Sequence, residues 1–181
     1  MIKNAFILCG GFGKRLGEIT KKTAKPLIKF NNVPFIEYLI SQLANNDIKK
    51  IYLLTHYKFN DFKKKYHLKK IKRSQIHCIK EAKPLGTGGA ILNAKKYLKN
   101  NTLLLNGDSY LKIPFKKILK FKLKKKIILM MLIKNDTYKS NKKLSKLEIK
   151  KSVVKFSKKN FMNAGVYLIN KKIIKFIINK K

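Results

Sequence analysis

The sequence predicts an α/β protein in which an open, mainly parallel sheet carries helices on both of its faces. Short apolar runs of strand length alternate along the chain with segments of helical periodicity, a pattern typical of strands joined by helical crossovers. Glycine-rich loops follow two of the predicted strands, where such a sheet commonly binds a ligand. The length of 181 residues suits one domain with a substantial core, so we expect a single domain over residues 1–181.

The first half of the chain contains three predicted strands separated by two predicted helices. The strands are the apolar runs at residues 5–9, 48–54 and 75–80. Pro34 suits the first turn of a helix. Five apolar side chains after it fall on one helical face: Phe35, Ile36, Leu39, Ile40 and Leu43. Aromatic side chains at helical spacing predict the second helix over residues 59–66.

The second half continues the alternation after a second glycine loop, Glu81 to Gly89, which leads into a helix ending near Leu98. The later predicted elements are a strand at 102–105, a helix at 115–123, a strand at 127–133, a hairpin or irregular excursion at 142–156, a strand at 162–169 and a helix at 173–178. The strand at 127–133 is apolar throughout, which predicts a central position in the sheet.

The charge composition of the chain is extreme. A formal net charge of +37 would ordinarily indicate a nucleic-acid or membrane partner. Only Arg15 and Arg73 of the 45 basic residues are arginines, and Ile and Asn are abundant beside Lys, as A/T-rich codon usage produces. The lysines are also dispersed between apolar residues. We interpret them as a solvated coat and expect no specific nucleic acid partner; the alternative is a basic nucleic-acid-binding protein.

The cysteines and histidines show no metal-type spacing. Cys9 and Cys78 are isolated thiols on predicted buried strands, as expected of free cysteines in a reducing compartment. Three scattered histidines are interpreted as structural or solvent-exposed: His56, His67 and His77.

The apolar segments predict a protein outside the membrane. The apolar run that follows Met1 is too short for a signal peptide. No stretch approaches the roughly 20 consecutive apolar residues that a membrane span requires. We expect a cytoplasmic protein without membrane insertion.

The first glycine loop, Gly10 to Gly17, has the composition of a phosphate-binding loop. Glycines allow backbone N–H groups to surround an anion, and Lys14 and Arg15 add charged donors. Lys25 offers another cation on a turn stiffened by Pro26. The segment therefore predicts a site for the triphosphate of a nucleotide.

Two better-known glycine motifs do not describe this loop. A P-loop places Ser or Thr after its lysine, but Arg15 follows Lys14 here. A dinucleotide fingerprint requires an acidic residue at a strand end about 20 positions later, and the nearest candidate, Glu37, falls inside a predicted helix. A purely structural loop is the remaining alternative.

Two acidic residues occur at the ends of predicted strands. Asp108, after Asn106 and Gly107, is suited to bind Mg²⁺, and its alternative role is a turn or helix cap. Glu81 is suited to accept two N–H bonds from guanine, whereas uracil and thymine offer one; its alternative is a surface salt bridge. Gly86 leaves room for a flat base against the backbone. Since parallel sheets bind ligands outside the carboxyl ends of their strands, we expect the three loops to form one site.

Several segments, taken in order, resemble the sugar-1-phosphate nucleotidyltransferases. The opening of that family is similar to LCGGFGKRL at 8–16, to Lys25-Pro26 and to PFIEY at 34–38. Within the family, the guanylyltransferases for heptose or mannose 1-phosphate resemble the later segments most: PLGTGGA at 84–90, LNGD at 105–108 and NAGVY at 163–167. The resemblance covers nearly the whole chain and implies a Rossmann-like fold of the nucleotide-diphospho-sugar transferase type.

The resemblance implies a reaction in which a sugar 1-phosphate oxygen attacks the α-phosphorus of an NTP and pyrophosphate leaves, yielding a nucleotide sugar for cell-surface glycans. GTP is the favoured nucleotide donor, and CTP, UTP and dTTP are the alternatives. The resemblance is also compatible with a homo-oligomer. By position, it assigns triphosphate binding to Gly10, Gly11, Gly13 and Arg15, phosphate positioning to Lys25, base contacts to Glu81 and Gly86, Mg²⁺ binding to Asp108, and sugar phosphate contacts to Lys159 and Asn163. Arg15 and Lys25 are the implied catalytic residues.

The chain departs from the family pattern at two places. The family's Glu-Lys pair after the fifth strand corresponds here to Lys158-Lys159. Its second metal-binding Asp, in a C-terminal Asp-x-Gly-Thr segment, has no counterpart, since no acidic residue follows Glu148. We therefore expect a domain without the usual C-terminal portion. The alternative function is a catalytically impaired nucleotide-binding protein or a regulatory subunit.

Overall fold

The computed structural model describes residues 2–123, 126–134, 147–150, 153–156 and 161–178. Its strands are β1 (Asn4–Leu8), β2 (Lys29–Phe30), β3 (Val33–Pro34), β4 (Lys50–Thr55), β5 (Lys70–Ile71), β6 (Ser74–Lys80), β7 (Thr102–Asn106), β8 (Ile128–Lys134), β9 (Leu147–Lys150), β10 (Val153–Phe156) and β11 (Phe161–Ile169). Its α-helices are α1 (Glu18–Lys22), α2 (Phe35–Asn45), α3 (Phe59–Tyr66), α4 (Gly86–Asn93), α5 (Phe115–Lys120) and α6 (Ile173–Ile178).

Four parallel strands form the centre of the large sheet, in the order β7-β1-β4-β6. Antiparallel strands extend it on both sides, with β11, β9 and β10 beyond β7 and with β5 beyond β6. The described part of the predicted hairpin pairs as β9 with β10. This mixed sheet with a parallel centre confirms the predicted α/β fold class, and it aligns the carboxyl ends of β1, β4, β6 and β7 along one edge.

Helices cover both faces of the sheet. One buried cluster packs α2, α3 and α5 against the strands, and the other packs α4 and α6 against the opposite face. The apolar face predicted for α2 is confirmed, except that Phe35 is only half-buried and Ala44 joins the face: the buried side chains are Ile36, Leu39, Ile40, Leu43 and Ala44. Each fully buried aliphatic side chain of this size stabilises the fold by roughly 1.5–3 kcal/mol.

The strand predicted at 127–133 is not central. It forms β8, which pairs antiparallel with β11 and lies off the main strand order among the described strands. Its inner side chains are half-buried, and Leu129 and Met131 pack against the core cluster of the α2 face. An apolar strand indicates that both of its faces are covered by other groups. It does not require that the strand has a hydrogen-bonded neighbour at each of its two edges.

Both cysteines are free and buried, as predicted. Burial raises the pKa of the Cys78 thiol to about 12, and it raises the pKa of Cys9 well above its ordinary value. Both groups are therefore thiols at neutral pH, the less reactive form of cysteine. None of the helices in the described part of the chain is long and apolar enough to cross a membrane.

Candidate active site

Three loops at the carboxyl ends of β1, β6 and β7 line one open cavity of about 740 Å³. Eight of the residues predicted for the site line it: Gly10, Gly11, Gly13, Arg15, Lys25, Glu81, Gly86 and Asp108. They come from segments far apart in the sequence, and the parallel centre of the sheet brings them together. The prediction that the three loops meet at one edge is confirmed.

Each loop begins with a backbone hydrogen bond that extends the strand pairing by one residue. Cys9 N–H donates to the Leu54 carbonyl at 2.8 Å, and Gly107 N–H donates to the Leu8 carbonyl at 3.0 Å. Glu81 N–H donates to the Thr55 carbonyl at 2.8 Å. Because buried backbone groups need partners, these bonds anchor the start of every loop to its neighbouring strand.

The first loop is shaped by Gly13 and by the Thr20 side chain. Gly13 has a φ of 66°, and a Cβ there would lie 2.8 Å from the Thr20 Cγ2. The Thr20 hydroxyl lies within hydrogen-bonding distance of two carbonyls, Gly13 O at 3.2 Å and Gly17 O at 3.1 Å. The turn over Lys14–Leu16 then leaves the Lys14 and Arg15 side chains exposed at the cavity, where cations meet an anionic ligand.

Aromatic packing holds the tip of this loop. The Phe12 ring contacts the His56 ring at 5.7 Å and the Tyr57 ring at 5.3 Å between centroids. The Tyr57 hydroxyl lies 2.7 Å from the Thr20 carbonyl and 3.0 Å from that of Lys21. The sequence carried no signal for these roles, because His56 and Tyr57 follow β4 and meet the loop only through strand pairing.

Lys25 and Asp108 form an ion pair in the cavity. Lys25 Nζ lies 2.6 Å from Asp108 Oδ2, and both side chains are 40% exposed. Gly107, the residue before Asp108, lies so close to the end of β1 that a Cβ there would be 2.5 Å from the Leu8 carbonyl oxygen. The ammonium of Lys25 thus neutralises the Asp108 carboxylate in the free protein, and both groups line the cavity.

Asp108 fits Mg²⁺ as a single carboxylate ligand. The part of the chain that the structure describes contains no group of three or more His, Cys, Asp or Glu side chains placed to hold a metal. Mg²⁺ in nucleotide-using enzymes needs only one or two carboxylates, because phosphate oxygens and water complete its shell. The single carboxylate of Asp108 is therefore suited to a metal ion that enters the cavity bound to a triphosphate.

Glu81 is a buried acid beside the first loop. It is 3% exposed, which excludes the alternative of a surface salt bridge. Burial raises the pKa of its carboxyl group, while the Leu85 N–H, 3.4 Å from Oε2, and the charge of His56 act in the opposite direction. A Cβ on Gly10 would lie 3.1 Å from Glu81 Oε1. Among the described residues, Leu85 N–H is the one hydrogen-bond donor to the carboxylate, so its remaining acceptor sites have no protein partner there.

Two of the predicted residues are not among the described residues that line the cavity, Asn163 and Lys159, whereas Gly86 is. Asn163 is an exposed residue of β11 and is not among the described residues that line the cavity. Its side-chain amide donates a hydrogen bond to the Tyr167 hydroxyl, and its side-chain oxygen accepts one from Gly165 N–H at 2.9 Å. Lys159 lies outside the described residues. Gly86 lies at the cavity with a φ of 65°, a conformation that suits glycine.

The whole chain resembles known proteins. Residues 4–181 match the family model described as Nucleotidyl transferase. The chain is 35% identical over 170 residues to the D-glycero-alpha-D-manno-heptose 1-phosphate guanylyltransferase of Campylobacter jejuni, covering 93% of this chain and 76% of that protein.

Solved structures show the same fold. HddC of Yersinia pseudotuberculosis, solved in complex with GMP-PN, superposes with a TM-score of 0.76 and 26% identity, over 96% of this chain and 79% of that one. The UDP-glucose pyrophosphorylase of Acinetobacter baumannii has a TM-score of 0.80 at 16% identity, over 97% of this chain and 76% of that one, and supports the fold alone. The family match extends from β1 through α6 and includes all three loops of the cavity, so the chain belongs to the nucleotidyl transferase family, among its sugar-1-phosphate members.

Proposed function

We propose that this protein transfers GMP from GTP to a sugar 1-phosphate of the heptose or mannose type and releases pyrophosphate. An oxygen of the sugar phosphate attacks the α-phosphorus of GTP and forms the new P–O bond. The bond between the α-phosphorus and the bridging oxygen to the β-phosphate breaks, and its electron pair leaves with pyrophosphate. The 35% identity to a heptose 1-phosphate guanylyltransferase supports this acceptor class.

The buried carboxylate of Glu81 carries the choice of guanine as the base. Among the described residues, Leu85 N–H is the one hydrogen-bond donor to it, at the long distance of 3.4 Å. A guanine edge presents two adjacent N–H groups, which match the two oxygens of a carboxylate, whereas uracil and thymine present one. Guanine would thereby satisfy a buried acid that the protein itself leaves short of donors.

The first loop and its cations provide the phosphate site. Backbone N–H groups of Gly10, Gly11 and Gly13 would surround the triphosphate, and Arg15 would stabilise the charge that develops on the transferring group. Lys25, which pairs with Asp108 in the free protein, would exchange that bond for one to a phosphate oxygen. Reactions of this kind depend mainly on positioning and on neutralisation of charge.

Asp108 would hold Mg²⁺, which supplies charge neutralisation at the phosphates when it is bound. The sugar phosphate would contact Asn163 and Lys159, which follow the assignment by resemblance. Asn163 lies on β11, beside the end of β7 where Gly165 packs against Asn106. The acceptor therefore approaches from the β7–β11 side, opposite the base segment that follows β6.

The proposal is tested by incubating the protein with GTP, Mg²⁺ and a panel of sugar 1-phosphates that includes heptose and mannose forms. We expect pyrophosphate and a GDP-sugar from wild type and from the Asp61→Asn control, which removes an exposed carboxylate of α3. Asp108→Asn should lower turnover about 10²-fold or more. Pyrophosphate from none of the sugars would contradict an enzymatic role, and GTP binding without turnover would favour an impaired nucleotide-binding protein.

A further inference from the structure

We propose that His56 is a positioning residue that joins the base-recognition segment to the phosphate-binding loop and contributes to selectivity for guanine. This inference rests on the proposed guanylyltransferase function. His56 directly follows β4, which lies between β1 and β6 in the sheet. At the carboxyl edge, it therefore occupies the space between the loop that begins at Gly10 and the segment that begins at Glu81.

One contact of His56 holds the base segment. Its Nδ1 lies 3.0 Å from the Glu81 backbone carbonyl. A carbonyl oxygen only accepts hydrogen bonds, so Nδ1 carries the proton in this contact. The Glu81 N–H is bonded at the same time to the Thr55 carbonyl. The peptide groups on both sides of the Glu81 side chain are thus tied to the end of β4, and His56 supplies one of the two bonds.

The other contact of His56 supports the phosphate loop. Its ring meets the Phe12 ring edge-on, with a centroid distance of 5.7 Å and an interplanar angle of 84°. Phe12 lies between Gly11 and Gly13, so the loop around it has little side-chain packing of its own. The Phe12 ring is therefore the anchor of the loop tip, and His56 and Tyr57 form the surface on which it rests.

The protonated form of His56 also acts on the carboxyl group of Glu81. Burial disfavours the ionised form of Glu81, and the positive charge of a protonated His56 partly offsets that effect. An ionised carboxylate accepts two N–H groups, whereas a protonated one must itself donate from one oxygen. The imidazole thus favours the state of Glu81 that recognises guanine, in addition to holding its backbone.

The other histidines make no comparable link. His67 accepts a hydrogen bond from Cys78 N–H at 3.1 Å, and His77 stacks on Tyr52. Neither makes a described contact with Phe12 or with the Glu81 backbone. His67 therefore offers a matched control, because it too bonds the backbone through Nδ1 but has no contact with either loop among those described.

Two variants separate the two contacts, with Kd values for GTP, ATP and inorganic tripolyphosphate measured by calorimetry. His56→Phe keeps a ring against Phe12 but removes the hydrogen bond and the charge. We expect it to reduce the preference for GTP over ATP about tenfold, with tripolyphosphate affinity unchanged. His56→Asn keeps an amide donor for the Glu81 carbonyl but removes the ring. It should retain most of the preference and bind tripolyphosphate several-fold more weakly.

The outcomes distinguish this role from a general structural one. His67→Gln should leave both the GTP preference and the tripolyphosphate affinity at wild-type values. Equal losses in every Kd, accompanied by a lower Tm, would show that His56 only stabilises the fold. A wild-type preference retained in His56→Phe would overturn its role while leaving the proposed function intact. A wild type without any preference for GTP would overturn the proposed donor and this role together.

Discussion

The two glycine loops of the cavity differ in the sign of their charged side chains and in how far those side chains are exposed to solvent. The first, Gly10 to Gly17, presents exposed cations on a backbone bent by Gly13. The second, Glu81 to Gly89, contributes a single ionisable side chain to the cavity lining, the acid Glu81, which is 3% exposed. One loop leaves its charges hydrated until a ligand arrives, and the other keeps its charge away from water.

Under the proposed function, this difference assigns affinity to the first loop and selectivity to the second. Exposed cations attract any polyphosphate, at little cost to the free protein, because water solvates them. A buried acid with few donors destabilises the free protein, and a ligand that offers N–H groups in the right place would relieve that cost. Four experiments test whether the two loops differ in this way.

The largest effect is expected from Arg15→Ala. Removing a preorganised donor from a transferring phosphoryl group costs about 10²–10³-fold in turnover, so pyrophosphate release should fall by that factor while base preference is retained. Arg73→Ala is the matched control, since it removes the chain's other arginine, outside the cavity lining. Comparable losses in both variants would show that general charge, and not the first loop, supports turnover.

Glu81→Gln should act on selectivity. A hydrogen bond to a charged partner contributes about 1.5–3 kcal/mol, so we expect the ratio of Kd values for ATP and GTP to fall about 10–100-fold. Tripolyphosphate, which has no base, should bind as it does to wild type. The measurement is calorimetric titration with each ligand, and an unchanged ratio would remove Glu81 from base recognition.

Gly10→Ala should disturb the contact between the two loops. Its Cβ would lie 3.1 Å from Glu81 Oε1, so the carboxylate must move, and overpacking of roughly 1 kcal/mol corresponds to about fivefold weaker GTP binding. Gly88→Ala is the control, because Gly88 is not among the described residues that line the cavity and a Cβ there would be in ordinary contact with Ile177 Cγ2 at 3.6 Å. Equal Kd values for GTP in the two variants would show that the loops act independently.

The smallest effect concerns stability and pH. Burial raises the folded-state pKa of Glu81, so the folded protein holds this proton more tightly than the unfolded chain. The bound proton of Glu81 stabilises the folded protein fully when the pH is below the pKa of this group in the unfolded chain. This stabilisation is lost as the pH rises through the pKa of the group in the folded protein. Glu81→Gln should therefore melt at a Tm about 2–4 °C above wild type at pH 7, with the difference shrinking in acid. An equal or lower Tm would contradict a destabilising buried charge.

Much of the fold followed from local sequence patterns. The apolar face of α2, the positions of the glycine loops after β1 and β6, and the meeting of three loops at one edge were all predictable from periodicity and strand ends. The position of β8 in the sheet was not predictable from such patterns. The apolarity of a strand indicates that its faces are buried, but it carries no information on which neighbouring strands pair with its edges. Pairing depends on contacts between distant segments.

The chemical groups of the site can be identified from the amino-acid sequence, because the glycines, Arg15, Lys25, Glu81 and Asp108 lie where predicted strands or turns end. How those groups meet depends on the tertiary structure. The Lys25–Asp108 ion pair joins residues 83 positions apart, and the burial of Glu81 depends on the neighbouring loop. His56 acquired its place between Phe12 and Glu81 because β4 lies between β1 and β6. Strand order is a global property of the chain, and no local spacing encodes it.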